Sequence, residues 1–302
     1  MSWKKLGNIF CPEAHFPWMK SHATVPFIGK TTDAEIQIFF STRDEDNRSN
    51  IGGLLFSLQD FKITKLFETP FLTPGPNGNF DHDGVMGCHI TEVNGSSYLY
   101  YIGWNLGVSV PFRNAIGVAE YKNEKFEKLF SGPIVDRSIY DPCFVASNCI
   151  IKINDRYVMY YLSCIKWVQR DGKLTHYYHI KIATSVDGIE WHRSGKVAID
   201  FKDQNEFSIS VPRALYENGI YKMWYSYRSG FTSKTYRIGY AESQDGFDWK
   251  RKDNEAGIDV SETGWDSQMI CYPFVFDHGS DRYMLYNGND YGKTGIGLAV
   301  LV

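Results

Sequence analysis

The sequence is short of net charge, of long apolar runs and of low-complexity linkers, and each shortage removes a class of protein. Lys and Arg number 32 against 35 Asp and Glu, leaving a formal net charge of -3 over 302 residues. With a pI of about 6.2, no global field draws the chain to nucleic acid or to anionic lipid. No stretch reaches the roughly eighteen apolar residues of a membrane span. The start, Met1-Ser2-Trp3-Lys4-Lys5-Leu6-Gly7, has two lysines without the apolar segment of a signal peptide behind them. These features predict a soluble, unexported, cytoplasmic protein. No Ser/Gly tract or charge block interrupts the chain, so a single domain over 1–302 is expected. Cys11, Cys88, Cys143, Cys149, Cys164 and Cys271 show no CxxC spacing and lie in strand-like apolar surroundings. Free buried thiols are therefore expected, with no zinc site and no cofactor. GxSxG, P-loop and HExxH motifs are missing too, which removes the peptidase and nucleotide-fold readings.

What the chain has is a repeat. Ile51, Ile116, Ile180, Ile238 and Ile296 each open a short strand-like string, IGGLL, IGVAE, IKIAT, IGYAE and IGLAV, at steps of 65, 64, 58 and 58 residues. Upstream of each lies an aromatic or apolar pair: Phe39-Phe40, Tyr100-Tyr101, Tyr160-Tyr161, Trp224-Tyr225 and Leu285-Tyr286. A period near 60 residues, built from alternating patterns, marks a propeller blade. Ser208 to Arg251 divides into four strands rich in Tyr, Trp, Ile and Val, with Asn218-Gly219 and Asp245-Gly246 suited to type I′ hairpins. Asn154-Asp155 and Asp187-Gly188 repeat the layout one unit earlier.

The fourth strand closes on Phe61, Phe126, Trp191 and Trp249, but the last repeat ends at Val302 before such a residue. SWKKLGN at the start resembles EWHRSGK (190–196) and DWKRKDN (248–254), so the N-terminal segment should complete the last blade. The expected fold is an all-β, five-bladed propeller of four-stranded antiparallel blades. Aromatics that recur in every blade, such as Tyr100, Tyr160, Trp224, Tyr286, Trp191 and Trp249, are assigned to packing.

Chemistry should sit where blades differ, on the rim shared by the loops that enter each first strand and those that join the second strand to the third. The entering segments carry Asp81 and Asp83, Asp141, Glu206 and Asp266, while the first blade offers His22 instead. The second set of loops adds Arg43, Asp44, Arg48, Arg228 and Lys293. In an extended segment Asp81 and Asp83 point the same way and can converge, although capping a turn or binding calcium also suits such a pair. His22 and His89 read as satisfied inner-strand histidines, and His176 and His179 as exposed loop residues. Arg43, Arg48, Arg213 and Arg228 suit bidentate contacts to a carboxylate or phosphate, which predicts an anionic small-molecule substrate.

The blade count, the YKMWYS and RIGYAESQDGFDW strings (221–226 and 237–249) and the acid ahead of each inner strand resemble the five-bladed propeller glycoside hydrolases of families 32, 43, 62, 68, 117 and 130. The resemblance implies a carbohydrate substrate and an acid paired with a base or nucleophile. Carried over, it implies Glu206 as general acid, its pKa raised by desolvation, and Asp81 or Asp83 as base, or Asp44 reaching in from its loop. Pairing of Glu206 with Arg213 is the structural alternative. His22, Arg43, Asp44, Asp141, Arg213, Arg228 and Asp266 would contact substrate. A phosphorylase or transferase on the same fold, and a non-catalytic carbohydrate-binding propeller, remain open alternatives.

Overall fold

The computed structural model describes residues 1–170, 172–230 and 235–302. Strand pairing sorts its twenty strands into five successive runs of four. The first is β2 (Ser21–Thr31), β3 (Ile36–Arg43), β4 (Ser49–Ser57) and β5 (Lys62–Leu66). The second is β6 (Gly84–Val93), β7 (Ser96–Leu106), β8 (Phe112–Lys122) and β9 (Lys125–Lys128). Then come β10 (Phe144–Ile153), β11 (Arg156–Arg170), β12 (Lys173–Ser185) and β13 (His192–Ile199). The fourth run is β14 (Glu206–Glu217), β15 (Ile220–Ser229), β16 (Arg237–Ser243) and β17 (Lys250–Arg251). The last comprises β18 (Cys271–His278), β19 (Asp281–Asn287) and β20 (Ile296–Leu301), and its outer strand is β1 (Trp3–Phe10), paired antiparallel to β20 from Trp3 opposite Leu301 to Phe10 opposite Ile296. The innermost strands touch in cyclic order, β2, β6, β10, β14, β18 and back to β2.

Each aromatic pair divides its labour, because neighbours on a strand face opposite ways. The first member packs against the outer strand of the following run. Phe39 meets Phe126 at 5.1 Å, Tyr100 meets Trp191 at 6.0 Å, Tyr160 meets Trp249 at 5.3 Å and Trp224 meets Trp3 at 6.3 Å between ring centroids. Tyr100 and Tyr160 also donate to the carbonyls of Gly188 and Gly246, at 2.9 and 2.8 Å.

The turns depart from expectation in one respect. Asn218 and Gly219 both have positive φ, as a type I′ turn requires, but at Asn154-Asp155 only Asn154 does, and at the Asp187-Gly188 and Asp245-Gly246 pairs only the glycines do. There Asp187 and Asp245 instead accept backbone N–H groups two and three residues on, beside Ser185 and Ser243, which makes side-chain-closed turns. All six cysteines are free, and Cys88, Cys149, Cys164 and Cys271 are buried.

Candidate functional site

Four of the six expected rim carboxylates perform one structural task. Asp81, buried, accepts from Tyr101 at 3.1 Å and Lys128 at 2.6 Å. Asp141 accepts from Tyr161 at 3.1 Å, Ser163 at 2.6 Å and Arg193 at 2.8 Å. Asp266 accepts from Tyr286 at 3.1 Å and Lys5 at 2.7 Å. Glu206 is gripped by Arg251 through both oxygens, at 2.5 and 2.8 Å, and by the Lys202 N–H at 2.7 Å. In that run Tyr225 reaches Asp253 at 2.5 Å, which shares Arg251. Each clasp thus joins a carboxylate to a second-strand tyrosine and an outer-strand cation. In the first run Phe40 replaces the tyrosine, so the missing first-blade carboxylate is a missing clasp.

This geometry revises the site. The partner of Glu206 is Arg251, not Arg213, and both Glu206 oxygens already accept hydrogen bonds. Asp81 and Asp83 do not converge, because residues 81–83 form a turn rather than an extended segment. Asp83 instead accepts from the Leu106 N–H at 2.7 Å and faces His82 at 3.0 Å. Asp44 closes its own loop, accepting from the N–H groups of Asp46 and Arg48 and from the Arg48 side chain at 2.8–3.0 Å. Arg213 is half-buried, donating to the Val275 carbonyl at 2.8 Å, stacked on Phe274 at 4.2 Å and against the His89 ring at 2.6 Å. Burial and Arg213 hold the His89 pKa well below its ordinary value. His179 is buried and paired with Asp200 at 2.9 Å, not exposed.

The space the inner strands enclose is a cavity of about 240 Å³. Its lining begins with a defect shared by all five inner strands: each slips register against its neighbour, at Thr24/Phe27, Gly87/His89, Val145/Asn148, Ser210/Arg213 and Cys271/Phe274, with further slips elsewhere along β2 and β14. Bulges re-aim side chains and gather beside functional sites. At three of them a bulky residue takes the left-handed conformation: Val25 (φ 50), Val211 (φ 48) and Tyr272 (φ 56). Such strain persists only when neighbours hold it. The holding groups are side-chain acceptors from other strands: Asn287 for the Val25 N–H at 2.9 Å, Ser147 for Val211 at 2.9 Å and Ser226 for Tyr272 at 2.7 Å. Val25, Val211 and Tyr272 all line the cavity.

Among the described residues, no Asp or Glu lines this cavity. Its charged group is Arg228. Nη1 donates to Tyr291 at 3.1 Å, and Nη2 donates to Ser208 at 3.0 Å and Tyr178 at 3.3 Å. The guanidinium stacks on Tyr236 at 4.6 Å and Phe207 at 5.0 Å, while buried Nε has no hydrogen-bond partner among the described residues. Burial works against its charge, but the hydroxyls of Tyr236, Tyr178, Tyr291 and Tyr272 outweigh it and raise the Arg228 pKa. Tyr272 also bears on Arg43, which stacks over Trp104 at 4.8 Å and donates to the Asn47 carbonyl at 3.0 Å. His22 stands near Arg43, Lys293 and Asp290, and burial with the two cations lowers its pKa. His176, expected in an exposed loop, lines the cavity; burial first and then Arg228 push its pKa down to about 4. Positions 171 and 231–234, in the rim segments of the third and fourth repeats, lie outside the described residues.

Sequence reasoning missed Tyr178, Tyr236, Tyr272 and Tyr291. One signal was available. Asn114, Tyr178 and Tyr236 stand two residues before Ile116, Ile180 and Ile238, on the strand turned to the mouth, and differ between repeats.

The architecture is that of the β-propeller glycoside hydrolases. The structure superposes on one described as a glycoside hydrolase with a TM-score of 0.78 at 15% identity, over 98% of this chain and 90% of that one. A thermostable family-43 glycoside hydrolase matches with 0.67 at 17% (92% and 88% covered), and a family 130 protein with 0.66 at 17% (99% and 90%). These neighbours, with a family 32 β-fructofuranosidase of Bombyx mori, belong to the five-bladed β-propeller superfamily. At such identities the likeness is one of fold. No family model matches the chain. By sequence it belongs to the family of the uncharacterized protein Rv1502 of Mycobacterium tuberculosis (strain ATCC 25618 / H37Rv), to which it is 39% identical over 304 residues, covering 100% of this chain and 99% of that protein.

Proposed function

We propose that the five runs are five propeller blades around one central site, and that this site holds an anionic carbohydrate such as a uronate or a sugar phosphate. The observation that carries the reading is Arg228: a guanidinium in the cavity whose hydrogen-bond partners among the described residues are hydroxyls, and whose Nε has none among them. An anion there gains charge-assisted bonds in a site of low dielectric without displacing an ion-pair partner. The tyrosines supply hydroxyls and ring faces to a sugar. The six free cysteines support a reducing, cytoplasmic setting.

Calorimetric titration with methyl β-D-glucuronide, glucose 1-phosphate and neutral methyl β-D-glucoside tests the reading. The uronate or the sugar phosphate should bind, with Arg228→Gln weakening it at least tenfold while the melting transition stays cooperative. Equal binding of the neutral glucoside, or an Arg228→Gln variant that binds as the parent does, contradicts it.

The fold likeness favours a second reading, glycoside cleavage or phosphorolysis. Two-carboxylate hydrolysis needs one acid at the leaving oxygen and one carboxylate across the ring, and the clasps engage Glu206 and Asp81 elsewhere. Turnover of an anionic aryl glycoside that disappears in Glu206→Gln, with folding intact, would restore Glu206 as the acid.

A further inference from the structure

The cavity has two unlike halves. Arg228, Tyr236, Tyr272 and Tyr291 come from the fourth and fifth runs; Met86, Ile102, Phe112, Phe144 and Leu162 come from the second and third. The second half is a ring cluster: Phe112 lies 5.6 Å from Phe144 and 5.5 Å from both Trp167 and His176. His176 stacks on Tyr178 at 5.0 Å, and its buried Nδ1 has no hydrogen-bond partner among the described residues. The imidazole is neutral above about pH 4, so the wall carries no charge at neutral pH. This wall continues outward. Phe112 is the cross-strand partner of Leu106 in the β7–β8 hairpin, and Leu106 and Val108 at its tip are exposed. The hairpin thus presents apolar side chains at the cavity, Phe112, and in solvent, Leu106 and Val108.

Resting on the anionic-sugar reading, we propose that the sugar carries an apolar aglycone: its charged ring sits on Arg228, and the substituent lies against Phe112 and Phe144 and leaves past Leu106 and Val108. Against Met86, Ile102, Phe112, Phe144 and Leu162 a neutral polar aglycone would lose its hydration, since these side chains offer no hydrogen-bond donor, whereas hydrocarbon gains by leaving water.

The test compares methyl with octyl β-D-glucuronide, below the micelle-forming concentration of the latter, by calorimetry. Octyl β-D-glucoside serves as the neutral control. The octyl glucuronide should bind at least tenfold more tightly than the methyl one. Phe112→Ala should remove most of the ratio of octyl to methyl glucuronide affinity, and the exposed double change Leu106→Ser, Val108→Ser should remove a smaller part. If methyl and octyl glucuronide bind equally, both through Arg228, the aglycone proposal falls and the anionic-sugar reading stands. A gain that survives both sets of substitutions, or octyl glucoside binding as tightly as octyl glucuronide, also overturns it. Binding of neither glucuronide removes this proposal; whether the parent reading falls with it is decided by glucose 1-phosphate.

Discussion

Two residues carry most of the interpretation, Arg228 and Glu206, and they differ in what surrounds them. Arg228 has hydroxyl partners and ring faces; Glu206 has a guanidinium on each oxygen. Breaking a buried pair strands one charge, so Arg251→Met should lower unfolding free energy by about 3–5 kcal/mol, read from urea denaturation. It should leave the affinity of bound sugar unchanged, because Arg251 does not line the cavity. The histidines give a pH signature. The His176 pKa is depressed to about 4, from an ordinary value near 6.5. As pH falls between those values the unfolded chain takes up a proton that the folded one refuses, so stability is full above about 6.5 and is lost down to about 4. His176 contributes roughly 3 kcal/mol of that loss, and His22, His89 and His179 act in the same direction. Denaturation midpoints from pH 7 to 4 should fall, and less steeply in His176→Phe.

At the scale of the strand, the repeated register slip shapes the cavity, and the acceptors beneath it keep the strained residues in place. Ser147→Ala leaves the Val211 N–H without its side-chain partner and should cost about 1–3 kcal/mol, measured by urea denaturation, with a weaker ligand response because Ser147 lines the site. The strands themselves were legible: alternation and aromatic pairs locate all five runs. Bulges were not, because a slip of register follows from what a neighbouring strand offers, as Asn287 offers to Val25. The clasps lay between these cases. The recurrence of an acid before four of the five inner strands could be seen, but its meaning depended on a cation from the outermost strand, such as Lys128 for Asp81 or Lys5 for Asp266.

For the molecule as a whole, closure depends on the chain ends. β1 pairs with β20, Trp3 packs edge-on against Trp224, and Lys5 completes the Asp266 clasp. Removing residues 1–10 bares the edge of β20 and uncovers Trp224, so the truncated chain should lose several kcal/mol and its cooperative melt, and should elute as aggregate in size-exclusion chromatography. A truncated chain that stays monomeric with an unchanged melting point would refute this role.

The sequence by itself determined the number and order of the strands, the expectation that the amino end supplies the last one, and the separation of packing aromatics from variable mouth residues. Those follow from local alternation and from a period, both properties of one dimension. Only the tertiary structure decided that the rim acids are held in clasps and that the cavity is cationic and aromatic. A carboxylate's role depends on which distant group reaches its oxygens, and in a ring of sheets that group comes from another strand of the same run or from the opposite end of the chain.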